Sequence, residues 1–392
     1  MKILLITKYF PPVNTIASHR LYSFAKYLPH YGIDVEIITP QWQGNLDLHI
    51  DDMIVHYTHR ETEKLQFRKS NHAWKNILKQ SGVRALRHYL NSPFYKAGKA
   101  LPDSIFKKQH AILASYGPED ALHLASHLCR KHNLSLIVDY RDLWLDNPFQ
   151  DWTAMDKTII YRLEKQILQQ SALVCTVSQT LGKQLFKRYR QKARVIYNGF
   201  WELPVHIPPV KRKNGVSFCY CGSLYDGLRP IQIIFPFLSR HPRHNLVAAV
   251  FDDVDVAYLK RMVEKFKLFG QVQILQNIPH QQAVELEKQS DILLFLNSLD
   301  RKSKGVLTGK LFEYMQSGKF ILGVGNPDDE AAKIINDFHL GTYISKENQM
   351  STALAAFQQW SPPPAEKLAF FSRKHQAERL ATFIKESLDH SV

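Results

Sequence analysis

Short apolar runs and helical patterns alternate along the first half of the chain. The runs are rich in aliphatic residues and are typical of buried strands. Between them, apolar residues recur at i, i+3, i+4 and i+7, as in Leu21, Phe24, Ala25 and Leu28, which indicates amphipathic helices. This alternation predicts a parallel sheet covered by helices. The strand-like runs are residues 2–7, 35–39, 111–115, 135–140, 172–178 and 194–199.

The second half repeats the alternation after a break in composition. Residues 202–215 contain three prolines and no periodic pattern, which is typical of a linker. A second proline-rich stretch, residues 361–367, precedes a last amphipathic segment. The strand-like runs between these two stretches are residues 216–222, 245–251, 272–276, 290–297 and 319–325.

The patterns predict the α/β fold class, with two Rossmann-like doubly wound domains that face a central cleft. We expect the first domain over residues 1–203, with a basic insertion at 60–110, and the second over 204–364. The remaining residues, 365–392, are expected to be helical and to pack back on the first domain. Ligands of such folds bind beyond the carboxyl ends of the strands.

Composition indicates a globular protein, with 45% hydrophobic and 22% charged residues. Its four cysteines lack a CxxC spacing, which fits a reducing compartment and no disulfide framework. The first apolar run is too short for a signal peptide, and no uncharged apolar run approaches the roughly 18 residues of a membrane span. We therefore expect a cytoplasmic protein.

The net charge of +15 is concentrated in the first half of the chain. Between Lys64 and Gln109, eleven Lys and Arg residues face a single acid, Asp103, and large aromatic residues lie among them. This composition suits an anionic membrane surface or an acidic acceptor. A solvated basic face is one alternative. A nucleic-acid site is a second alternative with the same composition, but we do not expect nucleic acid to be a partner. A peripheral position on the inner face of the cytoplasmic membrane follows as a hypothesis.

A candidate anion site lies in the second half, where the stretch LTGKLFEYMQSGK follows an apolar strand. It predicts a helix that starts near Gly309 and ends before Gly318, and its first amides would point out of the sheet edge. A second turn-rich loop, CGSLYDGLRP, also follows a strand. Both loops could converge on one diphosphate, with Glu313 accepting hydrogen bonds from ribose hydroxyls. A plain helix cap is the alternative. The candidates are Gly222, Ser223, Arg229, Leu307, Thr308, Gly309, Lys310 and Glu313.

Several motifs together resemble bacterial glycosyltransferases of the two-Rossmann-domain (GT-B) type, and in particular glycosyltransferase family 4. The resemblance covers nearly the whole chain and matches residues 64–109 least. The most specific motif is the one nearest the C-terminus, TGKLFEYMQSGKFIL. In order, the motifs are KILLITKYFPP, DYRDLW, VIYNGF, YCGSLY and TGKLFEYMQSGKFIL.

The resemblance implies that a nucleotide-sugar donor binds the second domain and an acceptor binds the first. By resemblance, Glu313 holds the ribose, while Arg229 and the segment from Leu307 to Lys310 hold the diphosphate. The backbone near Ile278 would meet the base. No metal is expected, because folds of this type generally use helix ends and basic side chains in its place, and the nucleotide sugar is a substrate and not a cofactor.

Two positions depart from the family pattern. The family commonly carries a second Glu eight positions before the ribose-binding one, where this chain has Gly305. The first loop usually carries a pair of glycines, where this chain has Asn14 and Thr15. The first departure bears on the donor sugar, and the second on how closely the loop approaches the donor.

The acceptor-side candidates are Asp142 and Arg141 in DYRDLW, at the end of a predicted strand. If the reaction inverts the anomeric centre, Asp142 could be the general base. If it retains the configuration, as family 4 implies, the donor phosphate takes the proton and Asp142 orients the acceptor. The alternative is a turn held by an Arg141–Asp142 salt bridge. Arg20 could reach the donor phosphates, or it is a plain surface residue.

Metal binding has little support in the sequence. His123 and His127 have the i, i+4 spacing of a zinc pair but no further ligand set, and the DDVD stretch at 252–255 suits a helix cap. The predicted function is transfer of a sugar from a UDP-sugar to a glycan or lipid-linked acceptor. Alternatives are a nucleotide-sugar epimerase of the same fold and a non-catalytic binding protein.

Overall fold

The computed structural model describes residues 1–44, 46, 48–61, 92–147, 150, 152–204, 215–299, 305 and 307–389. The chain divides into two compact units. Unit 1 comprises Met1–Asn198 together with Arg373–Val392, and unit 2 comprises Gly199–Ser372. Most of the basic stretch of 64–109 and of the linker at 202–215 lies outside the described residues.

Unit 1 is built on a sheet whose seven described strands pair in parallel, in the order β3-β2-β1-β4-β5-β6-β7. Aliphatic side chains fill both faces of its central strands, as expected for a parallel sheet covered by helices. The strands are β1 Lys2–Ile6, β2 Asp34–Gln41, β3 Ile54–Arg60, β4 Ala111–Tyr116, β5 Ser135–Tyr140, β6 Ser171–Thr176 and β7 Arg194–Val195.

The helices of unit 1 begin at residues suited to capping. Thr15, Thr153 and Ser178 each accept a backbone N–H of the helix that follows. The last helix returns to this unit, where the Gln376 side chain accepts the N–H of Tyr197 at 2.8 Å. The helices are α1 Ile16–Tyr27, α2 Pro93–Lys99, α3 Asp120–His132, α4 Ala154–Gln170, α5 Gln179–Tyr189 and α13 Arg373–Asp389.

Unit 2 contains a second parallel sheet, whose described strands have the order β10-β9-β8-β11-β12-β13. The strands are β8 Ser217–Cys221, β9 Asn245–Val250, β10 Val272–Gln276, β11 Ile292–Leu296, β12 Phe320–Val324 and β13 Gly341–Ile344. The helices are α6 Phe235–Arg240, α7 Asp253–Phe266, α8 His280–Gln289, α9 Gly309–Ser317, α10 Glu330–Asp337, α11 Met350–Gln359 and α12 Ala365–Leu368.

The α/β fold class with two Rossmann-like units is confirmed. Two strands were not predicted: β3, whose exposure follows no clean alternation, and β13, which has four residues. Both lie at the edge of a sheet, where the apolar signal is weakest. The predicted strand at 194–199 is reduced to the two residues of β7.

The strand order places a topological switch point in each sheet. In unit 2 the chain runs outward from β8 to β9 and β10, then returns to the other side of β8 with β11. Ligands of doubly wound folds bind at the carboxyl ends of the strands at such a point. The loop after β8 and the connection from β11 to α9 both leave this edge. Among the described residues, no helix is both long and apolar enough to cross a membrane.

Candidate functional site

The loop after β8 is tied down by a buried carboxylate. Asp255, in the first turn of α7, accepts the N–H of Leu224 at 2.6 Å and the N–H of Asp226 at 3.0 Å. Asp252 caps the same helix by accepting the N–H of Asp255 at 2.8 Å. The cap interpretation of the DDVD stretch is therefore confirmed, and the stretch also fixes the shape of the loop at residues 222–229.

Arg229 closes this loop and is anchored by an aromatic hydroxyl. Its Nη1 donates to the hydroxyl of the buried Tyr220 at 3.2 Å, and that hydroxyl donates to the carbonyl of Ser223 at 2.7 Å. The guanidinium carbon also lies 5.1 Å from the ring centroid of Tyr225. Gly222 donates its N–H to the carbonyl of Ala249 at 2.9 Å and ends the β8 ladder. Arg229 is therefore held in a defined position beside the end of β8.

Helix α9 starts at the predicted place. Thr308 has the extended backbone of an N-cap residue, and Gly309 is the first helical residue. The Thr308 side chain makes no capping bond, and its buried Oγ1 has no hydrogen-bond partner within the described part of the chain. The helix ends at Gly318, whose φ of 65° is the left-handed cap conformation predicted from the sequence. Leu307, which precedes the cap, is buried.

Lys310 and Glu313 contact each other in the first turns of α9. The ammonium Nζ lies 2.8 Å from Glu313 Oε2 and 3.0 Å from Oε1 of Glu287 on the neighbouring helix α8. Burial acts to lower the pKa of Lys310, but the carboxylates of Glu313 and Glu287 outweigh it and hold that pKa above its ordinary value. The sequence analysis missed Glu287, because a helical pattern does not reveal which neighbour a buried acid will contact.

The end of β8 and helix α9 lie next to each other at the switch point of unit 2. Strands β8 and β11 are neighbours, and the N–H of Cys221 lies 3.5 Å from the Tyr314 hydroxyl of α9. The ammonium of Lys310 lies 5.5 Å from the ring centroid of the same tyrosine. Ile278 follows β10 and is half-buried, two strands away from β8. The structure therefore places the end of β8, from which the loop at 222–229 leaves, beside α9, with Ile278 farther along the same edge.

The acceptor-side candidates follow β5 in unit 1. Arg141 is half-buried and donates from Nη2 to the carbonyl of Gly117 at 2.9 Å. A Cβ at Gly117 would lie 2.5 Å from Nη2, so only glycine allows this approach. Asp142 is exposed. None of the ion pairs found among the described residues joins Arg141 to Asp142, although the Asp142 carboxylate acts to raise the pKa of Arg141 against the lowering effect of burial, and Arg141 Nε has no hydrogen-bond partner there.

Arg20 is buried, so its interpretation as a plain surface residue is wrong. It forms a two-bond ion pair with Asp139, with distances of 3.0 Å and 2.6 Å, and donates from Nη1 to the carbonyl of Tyr197 at 3.0 Å. All three guanidinium nitrogens are thus used inside unit 1. The sequence analysis passed over Asp139, although it lies in the same DYRDLW stretch as Asp142.

The first loop of unit 1 is held by side-chain hydrogen bonds. Thr15 caps α1 by accepting the N–H of Ser18 at 3.1 Å, and Asn14 Oδ1 lies 3.1 Å from His19 Nε2. These contacts give Asn14 and Thr15 local structural roles at the positions where the family usually has glycines.

Gly305 has a backbone φ of 93°, a conformation that other residues adopt only with strain. The expected second Glu could not take this conformation without cost. The backbone conformation at position 305 therefore favours glycine over the glutamate that the family commonly has there.

His123, the first histidine of the pair on α3, belongs to the interior of unit 1, and His127 is half-buried. His123 is buried, its ring meets Trp144 edge to face at 5.2 Å, and burial lowers its pKa to about 4. Among the described residues, no group of three or more His, Cys, Asp or Glu side chains is arranged to hold a metal ion.

The fold is similar to that of several solved glycosyltransferases. HepE from Anabaena, solved with UDP and glucose, is 14% identical with a TM-score of 0.63, over 100% of both chains. The lipopolysaccharide outer core galactosyltransferase WaaB, solved in its apo form, is 13% identical with a TM-score of 0.63, over 98% of this chain and 99% of that one. The catalytic domain of starch synthase IV from Arabidopsis thaliana, bound to ADP and acarbose, is 13% identical with a TM-score of 0.59, over 100% of this chain and 99% of that one.

The sequence matches the same class. Residues 17–200 match the family model of Glycosyltransferase Family 4. This match, over just under half of the chain, agrees with the resemblance to that family and with the expectation of a glycosyltransferase. Comparison with curated proteins gives no significant match. Nearly all the matched residues lie in unit 1, so the candidate roles of α9 and the loop at 222–229 depend on their own geometry.

Proposed function

We propose that the protein transfers a sugar from a UDP-sugar to a glycan acceptor, and that unit 2 binds the donor. The observation that carries the donor site is that α9, with Lys310 and Glu313 near its start, lies beside the end of β8, the strand that leads into the Arg229 loop, at the switch point of a doubly wound sheet. This edge offers two cationic side chains, a helix N-terminus and a carboxylate, which suit a diphosphate and a ribose. HepE, which shares the fold, was solved with UDP.

The proposed donor contacts follow from the chemistry of each group. Arg229 and Lys310, with the amides of Ser223, Thr308 and Gly309, bind the diphosphate, and the buried Thr308 hydroxyl adds a donor. Glu313 accepts hydrogen bonds from the ribose hydroxyls, and the base lies near Ile278. Gly222 and Leu307 keep the backbone close to the ligand. We propose that no metal is needed, because two cationic side chains and the helix amides bind the diphosphate.

The same groups would stabilise the departing nucleotide diphosphate. Negative charge grows on the diphosphate as the bond to the sugar breaks, and fixed cations and helix amides lower the energy of that state. We propose retention of configuration, with a donor phosphate oxygen taking the acceptor proton. Asp142 and Arg141 then orient the acceptor.

The acceptor is proposed to be a lipid-linked precursor of a cell-surface polysaccharide, with the protein bound peripherally to the inner face of the cytoplasmic membrane. The support is the basic composition of residues 64–109. WaaB, which shares the fold, is a lipopolysaccharide galactosyltransferase. Co-sedimentation with anionic liposomes at low salt, and its loss at high salt, tests this step. Failure to sediment at low salt would remove the membrane proposal and leave the donor site untouched.

Calorimetric titration of UDP, GDP and ADP into the wild type and into Glu313→Ala tests the donor site. We expect UDP to bind and the variant to lose about 1–3 kcal/mol of binding free energy, as for hydrogen bonds to a charged group. Glu264→Ala, an exposed acid on α7, is the matched control and should bind like the wild type. Unchanged UDP binding by Glu313→Ala would remove the ribose role, and no binding by the wild type would remove the donor proposal.

Product analysis separates the catalytic alternatives. A transferase consumes the donor in the presence of acceptor and forms a new glycosidic bond. An epimerase converts the UDP-sugar without acceptor. A third alternative is a non-catalytic binding protein, because position 305 carries glycine where the family commonly has an acid. Such a protein would bind the nucleotide without consuming the donor.

A further inference from the structure

Three charged side chains of unit 2 form a row in which one cation lies between two acids. Lys310 Nζ lies 3.0 Å from Glu287 and 2.8 Å from Glu313. The exposed fractions of the side chains are 4% for Glu287, 22% for Lys310 and 43% for Glu313. This row of charged side chains therefore extends from the interior of unit 2 to its surface.

Glu287 is fixed in the interior by the helix that carries it. Ala283 and Glu287 are the buried residues of α8, four positions apart on one face. Burial raises the pKa of Glu287, and the adjacent ammonium of Lys310 offsets part of that rise. A buried carboxylate without a cation would be costly, so the contact between Glu287 and Lys310 is expected to persist.

Glu313 differs from Glu287 because it can exchange its partner. Its side chain is nearly half exposed, and an exposed ion pair contributes little to stability. Lysine has three N–H donors, so Lys310 can keep Glu287 and still bind another anion. A phosphate group at the start of α9 would compete with Glu313 for the remaining donors.

We propose that Glu287 is a positioning residue that holds the Lys310 ammonium for the donor diphosphate, and that donor binding moves Lys310 from Glu313 to phosphate. The Glu313 carboxylate is then released to accept the ribose hydroxyls. The inference rests on the proposed function, because it requires a nucleotide diphosphate at α9. The inference adds Glu287, from the neighbouring helix α8, to the donor site. It also states that Lys310 leaves Glu313 when the donor binds.

The alternative is that Glu287 and Lys310 form only a structural contact. In that case, loss of Glu287 would weaken all ligands equally by loosening unit 2, or would weaken none. A positioning role predicts a selective effect, since Lys310 would contact the diphosphate and not the nucleoside. Comparing a nucleoside diphosphate with its monophosphate therefore isolates the role.

The experiment measures the dissociation constants of UDP and UMP by calorimetry for the wild type, Glu287→Leu, Glu287→Gln and Lys310→Met. We expect Glu287→Leu to reduce the preference for UDP over UMP by roughly tenfold, as for the loss of a charged hydrogen bond. Glu287→Gln keeps an acceptor for Nζ and should retain the preference within about threefold. Glu285→Gln, an exposed acid on the same helix, should not change it.

A double variant tests whether Glu287 acts through Lys310. In the Lys310→Met background, Glu287→Leu should have no further effect on the preference for UDP. Additive effects of the two substitutions, or an unchanged preference in Glu287→Leu, would overturn the inference while UDP binding by the wild type upholds the donor site. If the wild type binds neither UDP nor UMP, the proposed function fails and the inference fails with it.

Discussion

Arg20 and Asp139 form a buried ion pair that joins α1 to β5, although 119 positions separate them in the chain. Arg20 Nε and Nη2 donate to the two carboxylate oxygens at 3.0 Å and 2.6 Å. Arg20 also donates to the carbonyl of Tyr197, and Ser115 donates to Asp139 at 3.0 Å. The pair therefore connects α1, β4, β5 and the segment after β7.

Arg20→Ala is expected to destabilise unit 1 strongly. The substitution leaves the Asp139 carboxylate buried without its cation, which typically costs about 3–5 kcal/mol. Urea unfolding followed by tryptophan fluorescence measures the loss. Arg162→Ala, which removes an exposed arginine of α4, is the control and should change stability by about 0.5 kcal/mol or less. Equal effects of the two substitutions would contradict the structural role of the pair.

Asp255→Ala is expected to weaken both the fold of unit 2 and UDP binding. It removes the acceptor for the N–H groups of Leu224 and Asp226, and a buried N–H without a partner costs about 1–3 kcal/mol. Loss of these bonds also loosens the loop that carries Arg229. Thermal unfolding and UDP titration measure the two effects.

Asp253→Ala is the matched control for Asp255→Ala. Asp253 is exposed in the same helical turn and accepts only from Gln276 at 2.8 Å among the hydrogen bonds described for it. This control should retain UDP binding within about threefold. If Asp255→Ala binds UDP as tightly as the control does, the shape of the loop does not govern donor affinity.

Glu164 is expected to make stability depend on pH. Burial raises its pKa from 4.5 to about 7, while its Oε2 accepts from the Tyr189 hydroxyl at 2.6 Å and the Leu145 N–H at 3.3 Å. Between these two pH values the folded state binds more protons than the unfolded state, so stability falls as the pH rises. The loss attributable to Glu164 is at most about 3 kcal/mol and is complete above pH 7.

Glu164→Gln should remove this part of the pH dependence, because glutamine keeps the acceptor and cannot ionise. Unfolding free energies at pH 4.5, 6 and 8, in the wild type and the variant, give the difference directly. Glu386→Gln, at an exposed site on α13, should follow the wild type. A wild type and a Glu164→Gln variant with parallel pH profiles would show that Glu164 does not carry the effect.

Periodicity was sufficient to predict the two sheets, because the central strands are buried on both faces and give continuous apolar runs. It did not predict β3 or β13, which lie at sheet edges and have mixed or short patterns. Gly318 was predicted correctly, because a helix stop followed by a strand has a local signature.

The site was predictable where it depends on local sequence, and not where it depends on packing. The motif at 307–319 placed Lys310 and Glu313 in one helix, and the structure pairs them. The contact of Lys310 with Glu287 depends on how α8 packs against α9, which no short pattern encodes. Arg20 was misjudged as a surface residue for the same reason, since its partner lies in a distant strand.

Tyr220→Phe tests whether the anchoring of Arg229 matters for donor binding. The Tyr220 hydroxyl accepts from Arg229 at 3.2 Å and donates to Ser223 at 2.7 Å, so the substitution removes both bonds and keeps the ring. We expect UDP affinity to fall about three- to tenfold, as for a hydrogen bond of about 1 kcal/mol, because Arg229 loses its fixed position. Tyr258→Phe removes a hydroxyl that bonds Gln232 at 2.9 Å and should leave UDP affinity unchanged. A similar UDP affinity in both variants would mean that Arg229 reaches the diphosphate without the help of Tyr220. The loop backbone alone would then orient Arg229.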